Sequence, residues 1–214
     1  MATGQDDDID WLAGPSVDEA YDPTYVHVTP ESISVLCVSD CLEQLERSAA
    51  IPNRLALAAK SAHLALQSAL TAALAGTANI GAHPPKIREQ YLSYLNNRDE
   101  STAARPTVDR VMSFVELLET ATSTALEWRQ RPLEISDDQK RLVDRLTKIR
   151  HDVEHPKQML HSIEPAYIKA TLPVAIALTI ELLADVFHHL EEGDLDRLRE
   201  FATRISDLCE VEAD

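Results

Sequence analysis

The sequence predicts an all-α fold, a helical bundle preceded by an acidic arm. Only five of the 214 residues are glycine. Apolar residues recur at helical spacing, and helix-starting and helix-ending residues bracket one segment after another. No segment alternates as a half-buried strand does, and no repeat is evident. Apolar residues make up 44% of the chain, enough to close one core over residues 29–210.

Residues 1–28 carry Asp6, Asp7, Asp8, Asp10, Asp18, Glu19 and Asp22 with no Lys or Arg. The expectation is a solvated, partly disordered arm. Trp11, Tyr21 and Tyr25 are its apolar exceptions, able to dock it on a basic surface. Thr29-Pro30 then opens a helix, a hydroxyl cap followed by proline at the first helical position. This helix reaches about Ala49, with Ile33, Leu36, Cys37, Cys41 and Leu45 assigned to its inner face. Asn53 caps the next helix and Gly76 ends it. Lys60, His63, Gln67 and Thr71 form a polar stripe along it. A short helix is expected over 86–96, loops over 77–85 and 97–105, and a long helix from Pro106 to about Gln130. Ser136-Asp137-Asp138-Gln139 is a capping-box pattern opening a helix with Leu142, Leu146, Ile149 and Val153 as its stripe. Pro156 stops it. A long helix is expected over about 164–191 with a kink at Pro173. Gly193 ends it, and Asp194 caps a last helix to about Cys209.

No stretch reads as a membrane span. The most apolar stretch identified, 54–76, is interrupted by Arg54, Lys60 and His63. The acidic start does not read as a signal peptide. Cys37, Cys41 and Cys209 are odd in number and form no CxxC pair, which suits small buried reduced side chains. The expected location is cytoplasmic, with no membrane partner. The formal net charge is −16, which argues against a broad nucleic-acid groove and against DNA binding. Residues 129–157 depart from that average, with eight Lys or Arg against six acids. A small local phosphate site fits there.

That segment contains Arg150, His151 and His155. Arginine grips phosphate oxygens with a planar, always-charged fork, and histidine exchanges a proton near neutral pH. Together they supply what RNA cleavage needs without a metal. On a regular helix Arg150 and His155 point about 140° apart, whereas His151 and His155 are only about 40° apart. Convergence therefore needs His155 to leave the helix before Pro156, or a second copy of the chain. The same residues also fit H-x-x-E-H, a zinc-hydrolase pattern in which Glu154 is the base and Glu164, Glu181 or His188 a third ligand. Weighed against both is a helix end bearing ordinary surface charges. Among other residues, Lys60 and His63 are candidates to line the same cleft, and His188-His189 fit a helix end. Tyr91, Tyr94 and Arg98 are candidates to stack on a base.

The order of elements around the motif is an Ala-rich helix, a loop region, and a capped helix ending in Arg-polar-x-x-x-His. A loop to Ser162-Ile163-Glu164 and another apolar helix follow. Over roughly residues 30–192 this resembles the HEPN superfamily (higher eukaryotes and prokaryotes nucleotide-binding), whose signature is R-x(4–6)-H at a helix end. The resemblance implies a helical bundle that dimerises with two motifs facing each other. It implies a metal-independent endoribonuclease of toxin–antitoxin or antiviral defence type, with no cofactor. Arg150 and His155 would be its catalytic pair and His151 an orienting group. Lys148, Lys157 and His161 would contact phosphate or RNA. The partners implied are a second copy, an RNA substrate or an inhibitory protein. The alternative is a non-catalytic HEPN module for dimerisation or for partner or nucleotide binding. The net charge favours that alternative; the intact Arg150, His151, His155 set favours the enzyme.

Overall fold

The centre of the molecule is a helix built largely from alanine and leucine. In a computed structural model, which describes residues 28–98, 105–155, 162–186, 190 and 193–210, this helix packs against five others. The described residues are helical or irregular, without strands, so the chain is all-α. The elements are α1 (Pro30–Arg47), α2 (Arg54–Ala75), α3 (Pro85–Asn97), α4 (Phe114–Ser123), α5 (Asp137–Glu154), α6 (Pro165–Lys169), α7 (Leu172–Asp185) and α8 (Asp194–Glu210). The arm expected over 1–28 lies outside the described residues except for Val28, which is exposed.

Helix α2 tolerates so many neighbours because its side chains are small. Ala58, Ala59, Ala62, Ala65 and Ala69 are fully buried, which lets α1 and α7 approach closely, while Leu66 and Leu70 fill the space between. Helices α4, α5 and α6 complete its surroundings, and α8 packs on α1 and α7. Ser34 ties α1 to α2 by donating its hydroxyl to the Ala65 carbonyl (2.8 Å).

Two expected caps form, whereas Asn53, itself helical at φ −63°, ψ −13°, makes no side-chain cap bond to α2. Thr29 accepts from the Ser32 N–H (3.1 Å), and Ser136 accepts from the Gln139 N–H (3.2 Å). Gly76 ends α2 at φ 65°. Leu36, assigned to the inner face of α1, is instead 63% exposed. It sits about 140° round the helix from Cys41, and Val38 takes its place in the core.

The long helix expected from Pro106 to Gln130 is also corrected. Residues 105–113 are not helical, and the Met112 N–H donates to the Ala82 carbonyl (2.9 Å). The helix begins only at Phe114, where Ser113 and Glu116 form a capping box, and it ends at Ser123. The chain then turns through Gln130 at φ 58°, and the Leu133 N–H returns to the Ala121 carbonyl (2.8 Å). Likewise the helix expected over 164–191 is two elements. Pro173 lies in the first turn of α7 and supplies no N–H there, so the chain breaks at Ala170-Thr171 instead of kinking. Among the described residues, the stretch with the length and apolar content of a membrane span is Pro165–Asp185, rather than 54–76, and half of it is buried in the bundle.

Candidate functional site

Helix α5 carries the motif to one end of the bundle. Its start is fixed by the Ser136 cap, with Asp137 and Asp138 in the first turn, where the helix dipole favours negative charge. Val143, Leu146 and Ile149 are buried and seat it on α2 and α7. With Ile149 locked inward, Arg150 falls at the rim. His155 leaves the helix at φ −123°, ψ 70°, while its N–H still donates to the His151 carbonyl (2.9 Å). This departure matches the restriction that Pro156 places on the residue before it.

The structure brings the two exposed imidazoles together. The His151 and His155 ring centroids are 4.9 Å apart, tilted by 55°. Arg150 faces another way. Its guanidinium meets Glu154 Oε2 at 2.7 Å, and the other carboxylate oxygen, Oε1, lies 3.8 Å from Lys60 Nζ on α2. A cation from each of two helices thus converges on one carboxylate. Lys60 stays on the exposed stripe of α2, but His63 turns inward and is 2% exposed. Its ring lies 4.2 Å from that of Phe114, and its Nε2 is buried without a hydrogen-bond partner. Burial first, and the nearby Arg150 charge second, push the His63 pKa down to about 4, so this imidazole is neutral at physiological pH.

The other sequence candidates scatter. Lys148 lies about 160° round α5 from Arg150. With Asp152, Ser162, Glu164 and Tyr167 it lines a separate cleft of about 360 Å³. Above that cleft the Arg145 guanidinium stacks 3.8 Å from the Tyr167 ring centroid. Lys157, His161, His188 and His189 lie outside the described residues. Tyr91 is buried and stacked on His83 at 5.1 Å, so it is not free to stack on a base.

Compared with known families, curated proteins and solved structures, the chain matches none. The chemistry must therefore be read from the site itself. A guanidinium and an ammonium can hold an oxyanion. Two adjacent exposed imidazoles can accept and donate a proton. Glu181, considered above as a zinc ligand, receives Arg129 Nη1 at 2.7 Å. Among the described residues no three His, Cys, Asp or Glu side chains gather in a metal-holding arrangement. Cys37 and Cys41 are free thiols. Burial, more than the nearby Asp40, pushes Cys37 up to about 11. Cys41, also pushed up chiefly by burial, is fully enclosed. Neither is a ready thiolate nucleophile.

Sequence reasoning missed the part played by Glu154, which it weighed as a zinc-site base or as an ordinary surface charge. The available signal was its i,i+4 spacing from Arg150. It also left His63 at a cleft rim, and no local signal separated rim from core there.

Proposed function

We propose that the chain is a HEPN-type protein whose α5 end cleaves RNA without a metal. The observation that carries this reading is the His151–His155 pair, 4.9 Å between ring centroids, at the same helix end as the Arg150 guanidinium. His155, neutral, accepts the proton of an RNA 2′-hydroxyl as the 2′-oxygen bonds to the adjacent phosphorus. Arg150 stabilises the charge that builds on the phosphoryl oxygens. The P–O5′ bond breaks, and a protonated His151, or His155 of a second copy, gives its proton to the leaving 5′-oxygen. One product ends in a 2′,3′-cyclic phosphate and the other in a 5′-hydroxyl. A homodimer with two motifs facing each other supplies a full set of acid and base.

Two observations favour a second reading, a non-catalytic HEPN module that dimerises or binds a partner or nucleotide. Arg150 is already engaged by Glu154 at 2.7 Å, and the −16 net charge opposes RNA association. Incubating the protein with RNA in EDTA separates the two. Cleavage leaving 2′,3′-cyclic ends, lost in Arg150→Ala and His155→Ala, supports the nuclease. Cleavage that requires added metal, or that persists in both variants, excludes this mechanism. No cleavage together with a stable dimer points to the module.

A further inference from the structure

We propose that Lys60 and Arg150 form a two-cation seat for an RNA phosphodiester, and that Glu154 occupies it as an internal stand-in for the phosphate. The inference rests on reading this helix end as a phosphate site. It adds a binding residue from a different helix and a competing group within the chain.

Three observations carry it. First, each carboxylate oxygen of Glu154 faces a different cation, Arg150 at 2.7 Å and Lys60 at 3.8 Å. Two oxygens shared between two cations is also how the non-bridging oxygens of a phosphodiester would be held. Second, Glu154 is the last residue of α5, where the helix dipole and the free carbonyls disfavour an anion. An acid placed after its basic partner is also the weaker order for an i,i+4 pair. Local helix preference thus argues against a carboxylate here, and the two cations offset it. Third, His63, three residues from Lys60 on α2 and near enough to Arg150 to feel its charge, is itself buried against Phe114 and does not compete for the cations. The Lys60, Arg150 and Glu154 side chains remain 46%, 35% and 25% exposed, so an incoming phosphate has access to both cations once the carboxylate swings away.

The test is binding of a short 2′-O-methyl RNA, which has no free 2′-hydroxyl and cannot be cleaved. Glu154→Gln, close in shape but uncharged, is expected to bind it about tenfold more tightly than the unaltered protein, since a like charge leaves the seat. Adding Lys60→Gln to that variant is expected to weaken binding again and to reduce the salt slope by about 0.7, the value for one lost single-strand phosphate contact. Unchanged or weaker binding by folded Glu154→Gln overturns the proposal, as does indifference to Lys60→Gln in that background. Should Glu154→Gln not fold, Lys60→Gln alone is compared with Lys86→Gln on α3. Loss in the first only supports the seat, and equal effects overturn it. Inorganic phosphate is run as a competitor. Competition equal to that of a phosphodiester dinucleotide would assign the seat to free phosphate and overturn its assignment to RNA. Predicted binding without cleavage of natural RNA fails the nuclease reading alone. Cleavage with no response to Glu154→Gln fails the seat alone.

Discussion

The His63 ring packs on the Phe114 ring with centroids 4.2 Å apart, and this contact between α2 and α4 holds a neutral imidazole directly behind Arg150. Its consequence is a pH-dependent stability. The unfolded chain takes up the His63 proton near its ordinary value of 6.5, and the folded protein only near 4. The unfolded state therefore binds more protons between those values. Stability should be highest above about pH 6.5, fall as the pH drops toward 4, and level off below it, a loss of up to about 3 kcal/mol from this group. His63→Leu removes both the proton and the unpartnered Nε2. It should flatten that part of the profile and cost under about 1 kcal/mol at pH 7. Urea denaturation from pH 4 to 8 measures both, and an unchanged profile in His63→Leu would show that other groups set the acid limit.

If the proposed nuclease reading holds, RNA cleavage should depend differently on the three motif residues. His155→Ala is expected to lower single-turnover RNA cleavage in EDTA by about 10²- to 10⁴-fold. Arg150→Ala should cost about 10²- to 10³-fold. Arg150→Lys should recover little, because the ammonium lacks the planar fork. His151→Ala should fall nearer His155→Ala than the unaltered protein if its proton reaches the leaving oxygen. Full activity in His151→Ala would assign the general acid to a second copy. All four variants should melt within a few degrees of the parent, since these side chains sit at the rim.

The parts of this fold that were legible beforehand are those written locally. Thr29-Pro30 and Ser136 through Gln139 announce helix starts because a hydroxyl and the backbone N–H it caps are only three residues apart. Pro156 announced the departure of His155 for a similar reason. What escaped is set by partners distant in sequence. Val108, Val111 and Met112 are apolar at a spacing that suits a helix, yet the Met112 N–H goes to Ala82 and the helix waits for Ser113. On α2, Lys60 and His63 lie on the same polar stripe, but the packing of five helices leaves Lys60 outside and covers His63, while Leu57 and Leu64 stay exposed. The angular divergence of Arg150 and His155 was legible. The i,i+4 spacing of Arg150 and Glu154 was also there to be read, whereas the approach of Lys60 to the same carboxylate needed α2 in place.

Arg129 anchors the turn between α4 and α5 to α7. Its Nη1 meets Glu181 and its Nε meets Asp185, each at 2.7 Å, with the arginine side chain only 8% exposed. Burial alone disfavours the charge, and the two carboxylates more than restore it. Arg129→Met should leave two adjacent acids without their cation and cost about 2 to 3 kcal/mol, below the full penalty of a buried pair because Glu181 is partly solvated. Arg131→Met, which breaks an exposed pair with Glu134 at 3.3 Å, should cost under about 0.5 kcal/mol. Chemical denaturation at low and moderate salt compares them. Equal losses would mean that the Arg129 bridge adds nothing beyond surface electrostatics.

Two glycines should fail for different physical reasons. A Cβ at Gly81 would run into the carbonyl oxygen of Leu74, which is backbone in the last turn of α2. Nothing flexible is available to yield, so Gly81→Ala must push the 76–85 loop off α2. That loop holds Ala82, whose carbonyl accepts from Met112 just before α4, so the disturbance reaches the Phe114–His63 contact. The expected cost is about 2 kcal/mol or more, with partial hydration of His63. Gly193, by contrast, has open space around it but sits at φ +85°, where an L side chain is conformationally disfavoured. Gly193→Ala should cost about 1 kcal/mol, and Gly193→Asn less, because asparagine tolerates the left-handed region better. Thermal melts rank the three variants. NMR titration of His63 provides the second readout. Its pKa should rise from about 4 toward the ordinary histidine value in Gly81→Ala and stay put in Gly193→Ala, whereas equal shifts in both would show that the 76–85 loop does not govern the environment of His63.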